Sequence, residues 1–171
     1  MNHIIIILLV TSFNAYSQRE YVNQEVKKTA QEQLGKKIGY GSCQNFVDFV
    51  LIKSGAVYKR KITVKHPFIL RINFIKKLYA KVIENKITSF GEKIKAKDAK
   101  EGDIYTFDNV RLSFSRGKWN HVGIILENKG EGHYDTIEQN VNGSNVVYHK
   151  LDLSEIISGK VTFYRPYKTR L

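Results

Sequence analysis

The hydrophobic pattern of the chain changes its period near Gly102, and no other feature constrains the fold as much. Before this point, apolar residues recur at intervals of three and four, which is typical of amphipathic helices. After it, short runs rich in Ile, Val, Tyr, Phe and Thr are separated by Gly, Asn and Lys turns. Helices followed by consecutive strands indicate an α+β domain. We therefore expect N-terminal helices packed on an antiparallel sheet of about five strands, formed by DIYTF, HVGIILE, HYDTIEQN, NVVYHKLDL and KVTFYRPY.

Two helices are predicted before the basic part of the chain. In residues 19–34 the spacing of Val26, Ala30 and Leu34 places one apolar stripe on a helix, with Gly35 as the residue that ends it. The run CQNFVDFVLIKSG predicts a second helix that has Cys43 in its first turn and stops at Gly55.

The formal charge of +12 is concentrated in one segment. Residues 53–100 hold 14 Lys and Arg against three acidic residues, so the remainder of the chain is nearly neutral. The apolar spacing between Phe68 and Asn85 is mostly helical, although Leu70 and Phe74 fall off the stripe. We interpret residues 57–97 as a basic helical insertion. This basic segment is either a solvated face or a surface that attracts anionic envelope polymers or lipid head groups.

The first 18 residues read as a secretory signal. An apolar run at residues 4–10 precedes small and polar residues, and it is too short to remain as a membrane span. We expect an exported protein, periplasmic or secreted, whose residues 19–171 form a single domain. Given export and the lack of a recognisable nucleic-acid-binding module, we expect no nucleic-acid partner.

Cys43 is the only cysteine, so it forms no disulfide within the chain. At a helix N-terminus, unpaired N–H groups and the positive end of the dipole favour a thiolate. Small neighbours, with Ser42 among them, leave backbone N–H groups free as oxyanion donors, and the Tyr40 hydroxyl could assist. A buried packing residue is the alternative interpretation of a lone cysteine.

His121 is the favoured base partner among the five histidines. His3 lies in the signal, His66 in the basic segment, and His133 and His149 in strand patterns. By contrast, His121 opens the run HVGIILE directly after a loop, which places its imidazole at the rim of the sheet.

The run HYDTIEQN supplies the third group. Strand alternation puts Thr136, Glu138 and Asn140 on the same face. A carboxylate at the end of this strand could hold the His121 ring, fix its tautomer and stabilise an imidazolium. An exposed polar cluster is the alternative.

In order and type these pieces resemble the CHAP family of cysteine, histidine-dependent amidohydrolases and peptidases. The resemblance rests on GSCQNFVDFVL, KEGDIYTF, HVGIILE and IEQN, with 17 residues between His121 and Glu138. The chain departs from the family pattern at Asn120, where glycine is common, and at Lys100-Glu101, where proline usually precedes Gly-Asp.

The resemblance implies a papain-like, CHAP-like fold and hydrolysis of amide bonds in peptidoglycan. It implies Cys43 as nucleophile, His121 as base, Glu138 as orienting residue and Asn140 as a secondary polar member. The thiol mechanism needs no metal and no cofactor, and we expect neither. The sequence identifies no inhibitor or immunity partner.

Two other functions are compatible with the same residues. The first is a non-catalytic, basic envelope-binding protein on the same fold. The second is a secreted cysteine protease or deamidase that acts on a protein target.

Overall fold

Two helices and twelve strands are present in the part of the chain that the computed structural model describes, residues 19–64, 68–72, 75–79, 82–141 and 143–169. Residues 1–18, which we interpret as a signal, lie outside this part. In chain order the elements are β1 (Arg19–Tyr21), α1 (Asn23–Gln31), α2 (Cys43–Lys53), β2 (Lys59–Val64), β3 (Phe68–Ile72), β4 (Ile75–Tyr79), β5 (Val82–Ser89), β6 (Glu92–Ile94), β7 (Ile104–Leu112), β8 (Trp119–Gly130), β9 (His133–Gln139), β10 (Val146–Asp152), β11 (Ile156–Arg165) and β12 (Tyr167–Thr169).

The first helix is shorter than its apolar spacing predicts. Residues 19–21 form β1 instead, which pairs antiparallel with β12 near the end of the chain. After Gln31 the chain turns, and Gly35 follows in the left-handed region at φ 77°. Val26 and Ala30 are fully buried, as the spacing predicts.

The second helix is confirmed as predicted, with Cys43 as its first residue. The Ser42 side chain caps it by accepting a hydrogen bond of 3.1 Å from the Asn45 backbone N–H. At the other end, Gly55 adopts φ 67° beyond Ser54, the C-cap residue.

All five predicted strand runs form strands of one antiparallel sheet. Its order is β10-β9-β8-β7-β11-β6, so the short strand β6 adds a sixth member beside β11. The α+β prediction is therefore confirmed, and this sheet has one strand more than the five expected.

The helical prediction for the basic segment is wrong. The described residues between Lys59 and Ser89 are extended: β2 pairs with β5, and β3 pairs with β4, both antiparallel. Ile and Val are frequent in this stretch, and β-branched residues favour strands because their stiff side chains pack well on a pleated surface. The off-stripe positions Leu70 and Phe74 were the sign that the helical period did not fit; Phe74 itself lies outside the described residues.

The sheet separates two clusters of buried side chains. Both helices pack on one face, where Val26, Phe46 and Val50 meet Ile124 and Ile137 of the sheet. The other face carries a second cluster around Tyr105, Ile125, Tyr134, Leu151 and Phe163.

A buried carboxylate connects the helical layer to the sheet. Asp103 is fully buried and accepts two hydrogen bonds from the Arg165 guanidinium, at 3.1 Å from Nε and 2.9 Å from Nη2. It also accepts from the Asn23 side-chain amide at 2.6 Å and from the Lys100 backbone N–H at 2.8 Å. A bidentate pair with further donors satisfies the buried charge, so Asp103 fixes α1, β7 and β11 to one another.

Gly102 makes this junction possible because no side chain fits at its position. Its φ is 76°, and a Cβ there would lie 2.0 Å from the Asn23 carbonyl oxygen. The Gly-Asp pair of the KEGD motif therefore has a structural role: the glycine allows close approach of α1 to the turn before β7.

We expect Gly102→Ala to destabilise the fold by at least about 2 kcal/mol, from the left-handed conformation and the backbone overlap together. Urea denaturation measures this change. The matched control is Gly117→Ala, because a Cβ at Gly117 meets nothing within 4 Å and the backbone is not left-handed. The control should stay within about 1 kcal/mol of the parent. Equal stability of the two variants would contradict the packing described for Gly102.

Candidate active site

Cys43 is held at the start of α2, where the helix leaves backbone N–H groups unpaired. Three groups hydrogen-bond to its sulfur: the His121 ring and the backbone N–H groups of Val122 and Gln44. Burial raises the pKa of the Cys43 thiol, but these three hydrogen bonds and the charge of His121 outweigh burial and lower the pKa below its ordinary value. The Cys43 thiol therefore ionises at lower pH than an ordinary cysteine.

His121 lies on β8 with its imidazole between the sulfur and a carboxylate. Its Nε2 lies 2.9 Å from Glu138 Oε2, which leaves Nδ1 for Cys43. Burial lowers the pKa of His121, but the hydrogen bonds to Cys43 and Glu138 outweigh burial and raise the pKa from 6.5 to about 9. At neutral pH this arrangement favours the imidazolium form of His121 beside a thiol whose pKa is lowered.

Glu138 is 1% exposed, and both of its carboxylate oxygens have hydrogen-bond partners. In addition to His121, it accepts hydrogen bonds from the hydroxyls of Tyr105 and Thr136, and His149 Nδ1 lies 3.6 Å from its Oε1. Burial raises the pKa of Glu138, but the hydrogen bond from His121 and the nearby His149 ring outweigh burial and hold the pKa well below its usual range. The carboxylate therefore stays charged behind the His121 ring.

Sequence reasoning missed three of these donors. His149 was set aside as a strand histidine, although its position opposite Thr136 in the β9–β10 register brings it to the same face as Glu138. Contact with Glu138 raises the pKa of His149. Tyr105 sits opposite Gly123 on the neighbouring strand β8. The cluster becomes evident only from the register of four neighbouring strands, β7, β8, β9 and β10.

Gly123 gives the cluster its space. A Cβ at this position would lie 2.6 Å from the Tyr105 ring and 2.8 Å from Glu138 Cγ. The glycine two residues after His121 thus lets the tyrosine hydroxyl reach the carboxylate.

Gln139 fixes the nucleophile from the opposite face of the same strand. It is fully buried; its side-chain amide donates to the carbonyl oxygens of Ile38 at 3.0 Å and Ser42 at 2.9 Å, and its Oε1 accepts from the Ile38 N–H at 2.9 Å. Neighbouring residues of β9 therefore hold both halves of the site: Glu138 holds His121, and Gln139 holds the loop that enters α2 at Cys43.

The other predicted site residues are placed less centrally. Asn140 follows β9 in the left-handed region at φ 69° and lines a cavity beside His121. The Ser42 hydroxyl is engaged in capping α2, and Tyr40 is 95% exposed, with its backbone N–H donating to Asn45 Oδ1 at 3.1 Å. The assignment of Tyr40 and Ser42 to oxyanion binding stays a prediction, as do the catalytic roles of Cys43, His121, Glu138 and Asn140.

A cavity of about 370 Å³ adjoins the site. It shares His121, Glu138 and Asn140 with the site, but Cys43 does not line it. Its remaining walls are formed by Tyr105, Phe107, Leu112, Phe114, Trp119, Val141, His149, Lys150, Leu151, Asp152 and Glu155. Among the residues that the structure describes, no group of His, Cys, Asp and Glu side chains is arranged to hold a metal ion. Within the same residues, neither helix has the length and apolar character needed to cross a bilayer.

A helix-terminal cysteine facing a histidine on an antiparallel sheet defines the class of domains with a cysteine-proteinase fold. A family model described as the AIM3/BBC1 Cysteine proteinase-fold domain matches residues 15–171, and the chain belongs to this family. Comparisons with curated proteins and with solved structures gave no match. The family match confirms the papain-like fold class that the sequence predicts; it does not extend to the CHAP family or to peptidoglycan.

Replacing Glu138 with glutamine should move the alkylation of Cys43 to higher pH. Without the carboxylate, the pKa of His121 falls, the neighbouring cation is lost at lower pH, and the pKa of the Cys43 thiol rises. The rate of reaction with iodoacetamide, measured across pH, reports the thiolate because the thiol is unreactive.

The matched control for this experiment is Glu127→Gln. Glu127 is on the same strand as His121, but it is exposed and pairs with Lys129 at 2.6 Å. The control should leave the alkylation profile unchanged. An unchanged profile in Glu138→Gln would show that the carboxylate does not hold the thiolate–imidazolium pair.

Proposed function

We propose that this protein is a cysteine-dependent hydrolase of amide bonds, with Cys43 as nucleophile, His121 as acid and base, and Glu138 as the orienting residue. The observation that carries the proposal is the continuous contact from the Cys43 sulfur through the His121 ring to a buried, charged Glu138. A cysteine that only fills space in the core needs no such partners. Burying a charged carboxylate costs free energy, and such groups cluster at functional sites.

The chemistry follows from the two charges. The thiolate attacks the carbonyl carbon, and the negative charge that develops on oxygen faces the N-terminal end of α2, where backbone N–H groups are unpaired. In this scheme the Tyr40 hydroxyl and the backbone near Ser42 remain candidate donors. The His121 imidazolium gives its proton to the leaving amine, and the C–N bond breaks to leave a thioester on Cys43. Neutral His121 then takes a proton from water, whose oxygen attacks the thioester carbonyl; the C–S bond breaks, which releases the carboxylic acid and regenerates the thiolate–imidazolium pair.

The substrate class proposed first is peptidoglycan, from the resemblance of the Cys, His and Glu motifs to CHAP domains. Its amide bonds lie at the glycan–peptide junction and within the stem and cross-bridge peptides. A protein target is the second candidate, and the apolar cavity beside His121 favours it. A non-catalytic role agrees less well with a charged Cys–His–Glu set.

Export and envelope attraction are part of the same proposal. They rest on the apolar run at residues 4–10 and on the net charge of the basic segment, residues 53–100. Attraction to anionic polymers or lipids should weaken as salt rises. Binding to purified sacculi or anionic vesicles that stays constant between low and moderate salt would reject the electrostatic part.

Substitution Cys43→Ala should abolish hydrolysis, measured as release of new amines from purified sacculi and from an unfolded protein substrate. The alanine variant keeps the fold because Cys43 is only partly buried. The control is His133→Ala, a histidine that pairs with Asp152 at 3.4 Å and does not contact Cys43, His121 or Glu138 in the residues described. Wild-type activity that persists in Cys43→Ala would reject the thiol mechanism, and the substrate that is cleaved identifies the substrate class.

A further inference from the structure

The cavity beside His121 lies on the face of the sheet opposite the helices. Its inner wall includes Tyr105 and Leu151, members of the buried cluster on that face. Its outer wall comes from the tip of the β7–β8 hairpin: Leu112 ends β7, Phe114 lies in the connection and Trp119 begins β8. The same connection leads directly into His121, so the cavity and the candidate base are built on one hairpin.

Two large aromatic side chains of this wall are exposed. Phe114 is 69% exposed and Trp119 is 44% exposed. Exposed apolar surface gathered at one concave place marks a binding surface, because aromatic side chains gain most from burial when a partner covers them.

The Trp119 ring is held in place rather than free to rotate. Its indole N–H donates to Ser115 Oγ at 2.6 Å, and the Gly117 backbone N–H donates to the same oxygen at 3.2 Å. A pre-oriented aromatic wall costs less entropy when a ligand binds.

The residues that line the cavity determine which part of a substrate reaches it. His121 lines it and Cys43 does not. In acyl transfer to a thiolate, the carbonyl carbon lies at the sulfur and the leaving nitrogen lies at the imidazolium that protonates it. The part of the substrate next to the histidine is therefore the amine side of the scissile bond.

Resting on the proposed function, we propose that this cavity binds a large apolar side chain, aromatic above all, of the residue on the amine side of the bond that is cleaved. Peptidoglycan peptides present small and polar residues, whereas polypeptides supply Phe, Leu and Trp. A cavity of this kind therefore favours the second of the two proposed substrate classes, a polypeptide, over peptidoglycan. The opposite wall carries His149, Lys150 and Asp152, and this polar wall suits a side chain attached to a peptide backbone better than a long acyl chain.

The test compares peptides that share one acyl side and differ only in the residue that follows the scissile bond, phenylalanine or alanine. The full-length protein should cleave the phenylalanyl peptide with a kcat/KM higher by roughly tenfold or more, the range expected when an apolar pocket is filled. Trp119→Ala should lower kcat/KM for the phenylalanyl peptide far more than for the alanyl peptide.

A second variant and a control keep the result interpretable. Phe114→Ala tests the same wall at a side chain whose 69% exposure makes it dispensable for folding. Ile157→Ala removes an apolar side chain that is 58% exposed but does not line the cavity, and it should leave the ratio of the two kcat/KM values unchanged.

The outcomes separate this inference from the proposed function. Hydrolysis that depends on Cys43 but is equal for both peptides, or that keeps its selectivity in Trp119→Ala and Phe114→Ala, overturns the inference alone. Absence of any Cys43-dependent hydrolysis of peptides, proteins or sacculi overturns both.

Discussion

The site depends on one buried carboxylate that must stay charged. Glu138 is 1% exposed, and an unpaired charge at such a depth would cost several kcal/mol. Hydrogen bonds from Tyr105, Thr136 and His121, with His149 close by, remove that cost. The same contacts fix the His121 ring and stabilise its protonated form, so Cys43 has a cation beside it up to a pH of about 9.

The site also requires that both helices, which are distant in sequence from the sheet, pack against it in one closely defined position. Gln139 hydrogen-bonds the loop before α2, and Asp103 with Arg165 holds α1 against the sheet. Positions without a side chain, Gly102 and Gly123, let backbone and rings approach. The geometry of the site therefore depends on the apolar core and also on buried polar contacts, each of which requires a specific hydrogen-bond partner.

Sequence patterns were sufficient for the parts of the site that lie at element boundaries. Cys43 follows glycines at a helix start, His121 opens a strand, and Glu138 sits near a strand end. Tyr105, His149 and Gln139 were not found because their roles arise from which elements are neighbours and in what register. Strand alternation gives only the face, so it placed Thr136 beside Glu138 without identifying it as a donor. The helical prediction for the basic segment was wrong for another reason. Three- and four-residue spacing among Ile, Val and aromatic residues fits a helix and a hairpin almost equally, and pairing between strands determines which of the two forms.

The most direct test is an NMR titration of the His121 ring in the intact protein. The contacts with Cys43 and Glu138 predict an imidazolium that persists at neutral pH and titrates at about 9. In Cys43→Ala the midpoint should move down, because the hydrogen bond and charge of the thiolate are lost. A His121 ring that titrates near the ordinary 6.5, or whose midpoint ignores Cys43→Ala, would contradict the thiolate–imidazolium pair.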